Sequence, residues 1–219
     1  MARKKNITEN DIVSFYMDFV LEHNTKPKSV FELAKAFNFE ESKFYNFYGN
    51  IDAVENHVFT LFFQNTVEVL NKSDDYKKFD SRNQLLSFYF TFFENLTANR
   101  SYVSLALKDH SNNLKSLKQL QGLRKHFIKY IKNLDVELVE IKNDKVEAFQ
   151  MKAIAKAAWL QLLLTIKFWL EDSSAAFEKT DIFIEKAVNT SFDLLDIKPF
   201  KSVVDLGKFL LKEKMNMTV

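Results

Sequence analysis

Apolar residues recur at intervals of three and four along most of this chain. Over Glu9–His23, the side chains of Ile12, Tyr16 and Phe19 fall on one face of a helix, and charged residues take the other face. The same spacing predicts further helices at about residues 52–70, 84–95, 101–110, 113–134, 145–170 and 175–195, with a polar loop over residues 71–83. The pattern therefore predicts a chain built of helices around a substantial apolar core.

Few residues interrupt these helices. The 219 residues include three glycines and two prolines, and the dipeptides typical of tight β-hairpins, Asn-Gly and Asp-Gly, do not occur. The predicted fold class is therefore all-α. The formal net charge is only +2, so the chain as a whole does not indicate a polyanionic partner and local charge is more informative.

Residues 29–54 contain two short helical patterns joined by a tight corner. Ser29 and Glu32 have the spacing of a capping box, and Asn38 occurs where the chain must reverse, since asparagine tolerates left-handed backbone conformations. Three aromatic side chains of the second pattern are predicted to face the core: Phe44, Phe47 and Tyr48. Four polar side chains are predicted to face outward: Ser42, Lys43, Tyr45 and Asn46. Together the two patterns predict a helix-turn-helix, the motif that places a helix in a DNA groove.

The same segment resembles that of the TetR family of bacterial one-component regulators. The match runs without a gap and is carried by Ser29-Val30, Leu33-Ala34-Lys35, Phe39, Phe44-Tyr45, Tyr48-Gly49 and Ala53-Val54. The resemblance implies a TetR-like fold, with a helix-turn-helix DNA-binding domain over residues 1–60 and a helical ligand-binding and dimerisation domain over residues 61–219. It also implies a homodimer formed through the last two long helices. The alternative is that Ala153, Ala157, Ala158 and their apolar neighbours belong only to the core.

Eight side chains are the candidates for contact with double-stranded DNA: Arg3, Lys4, Lys5, Ser29, Ser42, Lys43, Tyr45 and Asn46. Tyr45 matches the family's phosphate-contacting tyrosine, and residues 3–5 form a basic arm able to enter a minor groove. The arm is alternatively a solubilising tail, and Tyr45 alternatively packs against its aromatic neighbours.

Three residues of this segment depart from the family pattern in ways that weaken DNA binding. Glu40 and Glu41 replace small or polar residues and repel phosphate, and Ile51 replaces a phosphate-contacting lysine. Residues 1–60 carry seven Lys/Arg and nine Asp/Glu, a net charge of −2. The glutamates are alternatively acceptors for cytosine amino groups, which would give sequence selectivity.

An aromatic inventory in the larger domain suits a lipophilic or aromatic effector, an assignment that follows mainly from the resemblance. Nine side chains are the candidates for the ligand site: Phe88, Tyr89, Phe92, Tyr102, Phe127, Tyr130, Trp159, Phe168 and Trp169. Aromatic residues at helical spacing are alternatively plain core. The first interpretation of the chain is thus a ligand-responsive DNA-binding regulator, with repression favoured over activation.

A second resemblance favours another function. Residues 170–184 resemble the C-terminal segment of the TetR-like lipid-binding proteins of ubiquinone biosynthesis, which do not act as repressors. Those relatives carry a tenth, amphipathic helix that meets membranes, and residues 199–215 here alternate apolar side chains with lysines. The alternative function is therefore a lipid-binding or membrane-associated accessory protein that has lost DNA binding. Instead of meeting a membrane, residues 199–215 alternatively form a terminal helix that packs on its own domain.

Catalytic and membrane-spanning classes fit the sequence poorly. The chain has no cysteine, its four histidines have no metal-ligand spacing, and no nucleophile elbow, phosphate-binding loop or dinucleotide-binding turn occurs. The uncharged run between Lys156 and Lys167 is far shorter than the roughly 20 residues that span a bilayer. We therefore expect no enzyme, no cofactor and no metal site. The N-terminus lacks the apolar core of a secretion signal, so cytoplasmic residence is expected.

Overall fold

The structure is a computed structural model, and it describes residues 7–107, 118–136, 144–196, 206 and 209. Within these residues the chain forms helices and no strand, which confirms the all-α prediction. The α-helices are α1 (Glu9–His23), α2 (Val30–Ala36), α3 (Glu41–Phe44), α4 (Ile51–Asn71), α5 (Ser81–Ala98), α6 (Arg100–Leu107), α7 (Gln121–Asn133), α8 (Asp144–Glu171) and α9 (Glu178–Asp196). Short 3₁₀ turns occur at Tyr76–Lys78, Lys118–Leu120 and Ala175–Phe177.

Capping residues fix the ends of α1. The side chain of Thr8 accepts a hydrogen bond from the Asp11 amide, and the Asp11 carboxylate accepts one from the Thr8 amide, which satisfies the free donors of the first turn. At the other end, Asn24 adopts the left-handed conformation with φ 55°. The predicted limits of this helix, Glu9 and His23, are therefore confirmed.

The chain divides into two compact units. The first comprises Met1–Lys72 and Thr91–Phe127, and the second comprises Ser73–Phe90 and Ile128–Val219. Helix α4 continues without a break past residue 60. The functional division of the chain at that residue stays a prediction.

The first unit is organised around α1, which packs against α2, α4 and α6. Its interior holds large side chains that are almost completely buried, such as Tyr16, Leu33 and Phe59. The Tyr16 and Tyr102 rings meet edge to face with centroids 6.3 Å apart, an arrangement that favours aromatic pairs. This packing ties α6 to α1.

The second unit is organised around the pairing of α8 with α9. The Phe168 and Phe183 rings stack with centroids 4.7 Å apart, and the Asp172 carboxylate accepts hydrogen bonds from the backbone and side chains of both Ser174 and Thr180. Asp172 therefore holds the connection between the two helices to the first turn of α9.

Several local expectations were wrong. Phe47 is 41% exposed instead of facing the core, because α3 ends at Phe44, whose carbonyl accepts hydrogen bonds from the amides of both Phe47 and Tyr48 and turns the chain. The predicted loop over residues 71–83 contains the 3₁₀ turn Tyr76–Lys78, and α5 already begins at Ser81. Asp80 explains the early start, since its carboxylate accepts the Asn83 amide as a helix cap does.

Candidate DNA-binding surface and apolar groove

Ser29 and Glu32 begin α2 in a variant of the predicted capping box. The Ser29 hydroxyl accepts the Glu32 amide at 3.2 Å, as expected. The Glu32 carboxylate, however, accepts the amide of Lys28 at 2.6 Å and not that of Ser29. The cap therefore extends one residue upstream and also fixes the approach to the helix, while Ser29 itself stays exposed.

The side chains predicted to face outward form an exposed ridge around α3, which we define as Ser42, Lys43, Tyr45 and Asn46. Lys43 is half-buried and the other three are exposed, with Tyr45 at 54%. Phe44, between them, is completely buried, and its ring meets the Tyr45 ring edge to face at 5.6 Å. Tyr45 thus touches an aromatic neighbour without being buried by it.

The hydroxyl of Tyr45 is engaged within the protein. It donates a hydrogen bond at 3.1 Å to the carboxylate of Glu41, which lies one helical turn earlier, at the start of α3. This bond to a carboxylate raises the pKa of Tyr45, since ionising the hydroxyl would lose it. The group that the resemblance implies for phosphate contact therefore has a competing acceptor.

Contacts to α1 and α4 hold the ridge in place. The hydroxyl of Tyr48 is hydrogen-bonded to Nδ1 of His57 on α4, and that nitrogen lies 3.6 Å from the Glu9 carboxylate on α1. Asn50 caps α4 by accepting the Ala53 amide at 2.9 Å. The chain after the ridge is thereby fixed to two helices of the first unit.

Two positions near the start of α4 lower the positive charge available to a phosphate. Ile51, which replaces the family's lysine, is buried. Lys26 contacts the carboxylates of Asp52 at 2.8 Å and Glu55 at 3.4 Å, and the hydrogen bond that it donates to Asp52 raises the pKa of Lys26. The basic arm Arg3, Lys4 and Lys5 lies outside the described residues, so its DNA contacts stay a prediction.

The nine aromatic candidates for the ligand site belong to both units. Phe92, Tyr102 and Phe127 lie in the first, and the other six lie in the second: Phe88, Tyr89, Tyr130, Trp159, Phe168 and Trp169. Seven of the nine are buried, and Tyr130 and Phe168 are half-buried. In the second unit, burial raises the pKa of Tyr130, whose hydroxyl donates to the Gln84 carbonyl at 3.2 Å and lies 2.9 Å from the Tyr76 hydroxyl. The ligand role of the nine stays a prediction.

A different set of residues forms an apolar groove of about 850 Å³ in the second unit. Its walls come from α5, the end of α7, α8 and α9, and none of the nine aromatic candidates lines it. The lining includes Leu85, Ile131, Leu134, Val136, Ala153, Ile154, Ala157, Ala158, Leu160, Gln161, Leu164, Phe183, Lys186, Ala187, Thr190, Ser191, Phe192, Leu194 and Leu195. We call this surface the α8–α9 groove.

The α8–α9 groove combines exposed leucines with a polar pair. Leu164 and Leu194 are 52% and 51% exposed, and the Ser191 hydroxyl donates to the Gln161 side-chain carbonyl at 2.7 Å. The resemblance implied a partner surface on the last two long helices, with Ala153, Ala157 and Ala158 alternatively part of the core alone. Helix α8 is apolar on nearly every side, so its pattern could not distinguish a core face from a partner face.

Among residues 7–107, 118–136 and 144–196, no three His, Cys, Asp or Glu side chains are grouped as metal ligands would be. The segment Gln150–Glu171 is long and apolar enough to cross a membrane by length and composition, criteria that a core helix also meets. The C-terminal amphipathic helix predicted over residues 199–215 lies outside the described residues except for Leu206 and Phe209, which are exposed.

Comparison with known proteins places the chain in a family. None of the curated proteins compared with it matches. A solved structure described as "Structural analysis of fatty acid degradation regulator FadR from Bacillus halodurans" is similar, with 15% identity, a TM-score of 0.49 and coverage of 88% of this chain and 96% of that one. The family described as "Tetracyclin repressor-like, C-terminal domain" matches residues 84–210, more than half of the chain. The chain therefore belongs to the TetR family of transcriptional regulators.

Proposed function

We propose that this protein is a cytoplasmic, homodimeric repressor that binds operator DNA and is released by a lipophilic or aromatic small molecule. In this proposal residues 1–60 bind DNA, residues 61–219 bind the effector and the second copy, and no catalysis takes place. The effector releases DNA because it binds better to a conformation with low DNA affinity.

The observation that carries the proposal is the exposed ridge around α3. Its polar side chains point outward while Phe44 and Tyr48 anchor it in the first unit. A rigid outward helix turn with hydroxyl, amide and ammonium groups suits contact with phosphates and base edges. We expect the ridge to enter the major groove.

The α8–α9 groove supports the homodimer. Leucines that are about half exposed are costly in water, and a second copy of the same surface would cover them. Two-fold symmetry would then present two ridges to half-sites about 34–36 Å apart on straight B-DNA.

Binding to the DNA upstream of the protein's own gene, measured across a salt series, tests the proposal. Each lost phosphate contact reduces the slope of log affinity against log salt by roughly 0.9. We expect wild-type protein to bind with a steep slope and Lys43→Ala to bind more weakly with a shallower one. Lys77→Ala, an exposed lysine outside the first unit, should match wild type. Binding that does not depend on salt would contradict the proposal.

Three observations favour the alternative function, a lipid-binding accessory protein. The Tyr45 hydroxyl is hydrogen-bonded to Glu41, Ile51 is buried, and Lys26 is paired with Asp52. All three weaken DNA binding. Organic extraction of purified protein followed by mass spectrometry would test this alternative, which requires a stoichiometric lipid together with no salt-dependent DNA binding. Peripheral membrane contact through residues 199–215 belongs to this alternative and is tested by vesicle sedimentation.

A further inference from the structure

Half of the exposed aromatic rings among the described residues lie in the helix-turn-helix, the others being Phe79, Phe90 and Phe209. Phe31 on α2 is 61% exposed, Tyr45 is 54% exposed and Phe47 is 41% exposed. A tyrosine at a DNA surface has a hydroxyl to offer, but a phenylalanine has only an apolar ring. Any group of DNA that the exposed phenylalanines contact is therefore apolar and not a phosphate.

The backbone holds the ring of Phe47 outward. Its neighbours Phe44 and Tyr48 are buried, and the Phe47 amide donates to the Phe44 carbonyl at 3.0 Å. Phe47 therefore cannot turn into the core without displacing one of these two anchors. Its exposure is a property of the fold.

Phe47 is also close enough to the start of α3 for both to fit within one major groove of DNA. Residues 41–47 form a short helix and its following turn, a length of roughly 10 Å at the helical rise. The major groove of B-DNA is about 12 Å wide. The backbone of Phe47 therefore lies within one groove width of the ridge, and we expect its exposed ring to enter the same groove.

The chemistry of base edges identifies what an apolar ring can select. Thymine alone presents an apolar group in the major groove, its C5 methyl. Apolar contact with that methyl group does not depend on charge, which suits a domain with a net charge of −2 over residues 1–60. We propose that Phe47 packs against a thymine methyl group and thereby selects thymine at one position of each half-site. This inference rests on the proposed DNA-binding function.

Replacing single thymines by deoxyuridine tests the contact, because that change removes only the methyl group. An operator is first obtained by selection from random duplexes with wild-type protein. Deoxyuridine at one thymine per half-site should then weaken wild-type binding by roughly fourfold per site, the effect of losing one buried methyl group. Phe47→Ala should bind the thymine operator more weakly and show no loss with deoxyuridine.

Two further variants separate the contact from general effects on the surface. Phe47→Leu keeps an apolar group and should retain part of the sensitivity to deoxyuridine. Phe31→Ala removes the other exposed phenylalanine of the helix-turn-helix and should retain the full sensitivity to deoxyuridine. Thermal melts check that each variant folds, which the exposure of both rings leads us to expect.

Equal losses for wild type and Phe47→Ala would overturn the inference, as would wild-type binding that no deoxyuridine affects. Wild-type protein that binds no duplex in the selection would instead refute the proposed function itself. The two failures are therefore distinguishable.

Discussion

Under the proposed function the Tyr45 hydroxyl has two competing acceptors, the Glu41 carboxylate and a DNA phosphate. The structure has the hydroxyl donating to Glu41, whose negative charge also repels the phosphate. We expect Glu41→Gln to raise affinity for DNA roughly two- to fivefold, the scale of one exposed charge interaction. Fluorescence anisotropy at low salt on the upstream DNA would measure it. Glu22→Gln, which removes an exposed carboxylate of α1, should leave the affinity unchanged.

A decrease for Glu41→Gln would contradict this account and give Glu41 a positive role. The carboxylate would then hold Tyr45 in its binding orientation or accept from a cytosine amino group. Binding of wild type and of Glu41→Gln to operators with cytosine replaced at single positions would distinguish these roles. Only a bond from a cytosine amino group makes the wild-type affinity depend on one cytosine.

Residue positions were predictable where helical periodicity continues and not where it stops. The burial of Phe44 and the exposure of Tyr45 follow from the 3.6-residue repeat. Phe47 does not, because the turn after Phe44 breaks the repeat that assigned it to the core. The Glu32 carboxylate likewise has two amides within reach, and sequence spacing cannot decide between Ser29 and Lys28.

Gly122 allows α7 to begin close against α4. A Cβ at this position would clash with Oγ1 of Thr60 and lie 2.5 Å from Oδ1 of Asn56, while the Asn56 amide donates to the Lys118 carbonyl at 2.7 Å. We expect Gly122→Ala to lower the free energy of unfolding by about 1–3 kcal/mol, as overpacking does. Urea denaturation would measure the change.

Gly49→Ala is the matched control for this glycine. A Cβ there would meet no atom within 4 Å, and no described glycine has a positive φ. Gly49→Ala should therefore unfold at the same urea concentration as wild type or at a slightly higher one. Equal effects at both glycines would show that the α4–α7 contact is not the cause.

Asp172 makes the start of α9 sensitive to acid. Burial alone would raise the pKa of its carboxyl, but the hydrogen bonds from Ser174 and Thr180 outweigh burial and hold the pKa well below its ordinary range. Because the pKa is lower in the folded chain than in the unfolded chain, the carboxylate stabilises the fold at every pH above about 4. That stabilisation is lost as pH falls below this value toward the folded pKa.

We therefore expect Asp172→Asn to lower Tm by several degrees at pH 7, and this deficit to shrink as the pH falls from 4 to 3. Thermal melts of both proteins at each pH would measure it. Asp181→Asn is the control of opposite sign, since burial and the neighbouring charges of Asp172 and Glu178 raise the pKa of Asp181. Removing that charge should not lower Tm, and a deficit for Asp172→Asn that is the same at every pH would contradict the linkage.

At the scale of elements, the limits of a capped helix were predictable from sequence, and the contact partners of apolar side chains were not. Thr8 and Asn24 define α1 through local hydrogen bonds and backbone conformation, which sequence reveals. The partners of an apolar residue depend on contacts distant in sequence. The nine aromatic residues read as a single pocket therefore divide between two units, because α5 and α7 each contribute to both.

For the whole molecule, the proposed function makes DNA affinity depend on whether two copies pair through the α8–α9 groove. Leu164, 52% exposed in this groove, would face the second copy, and a carboxylate placed there would be buried without a partner. We expect Leu164→Glu to be monomeric by sedimentation velocity and to bind a two-half-site operator roughly a hundredfold more weakly, because the second ridge no longer binds intramolecularly.

Val69→Glu provides the comparison for this dimerisation test, since Val69 is a similarly exposed apolar residue of α4 in the first unit, at 57%. It should remain dimeric and keep wild-type affinity. A single half-site distinguishes loss of pairing from damage to the DNA surface, because Leu164→Glu and wild type should bind one half-site with similar affinity. If Leu164→Glu stays dimeric, the α8–α9 groove is not the dimer interface. An apolar ligand is then the stronger candidate for what covers the leucines of this groove.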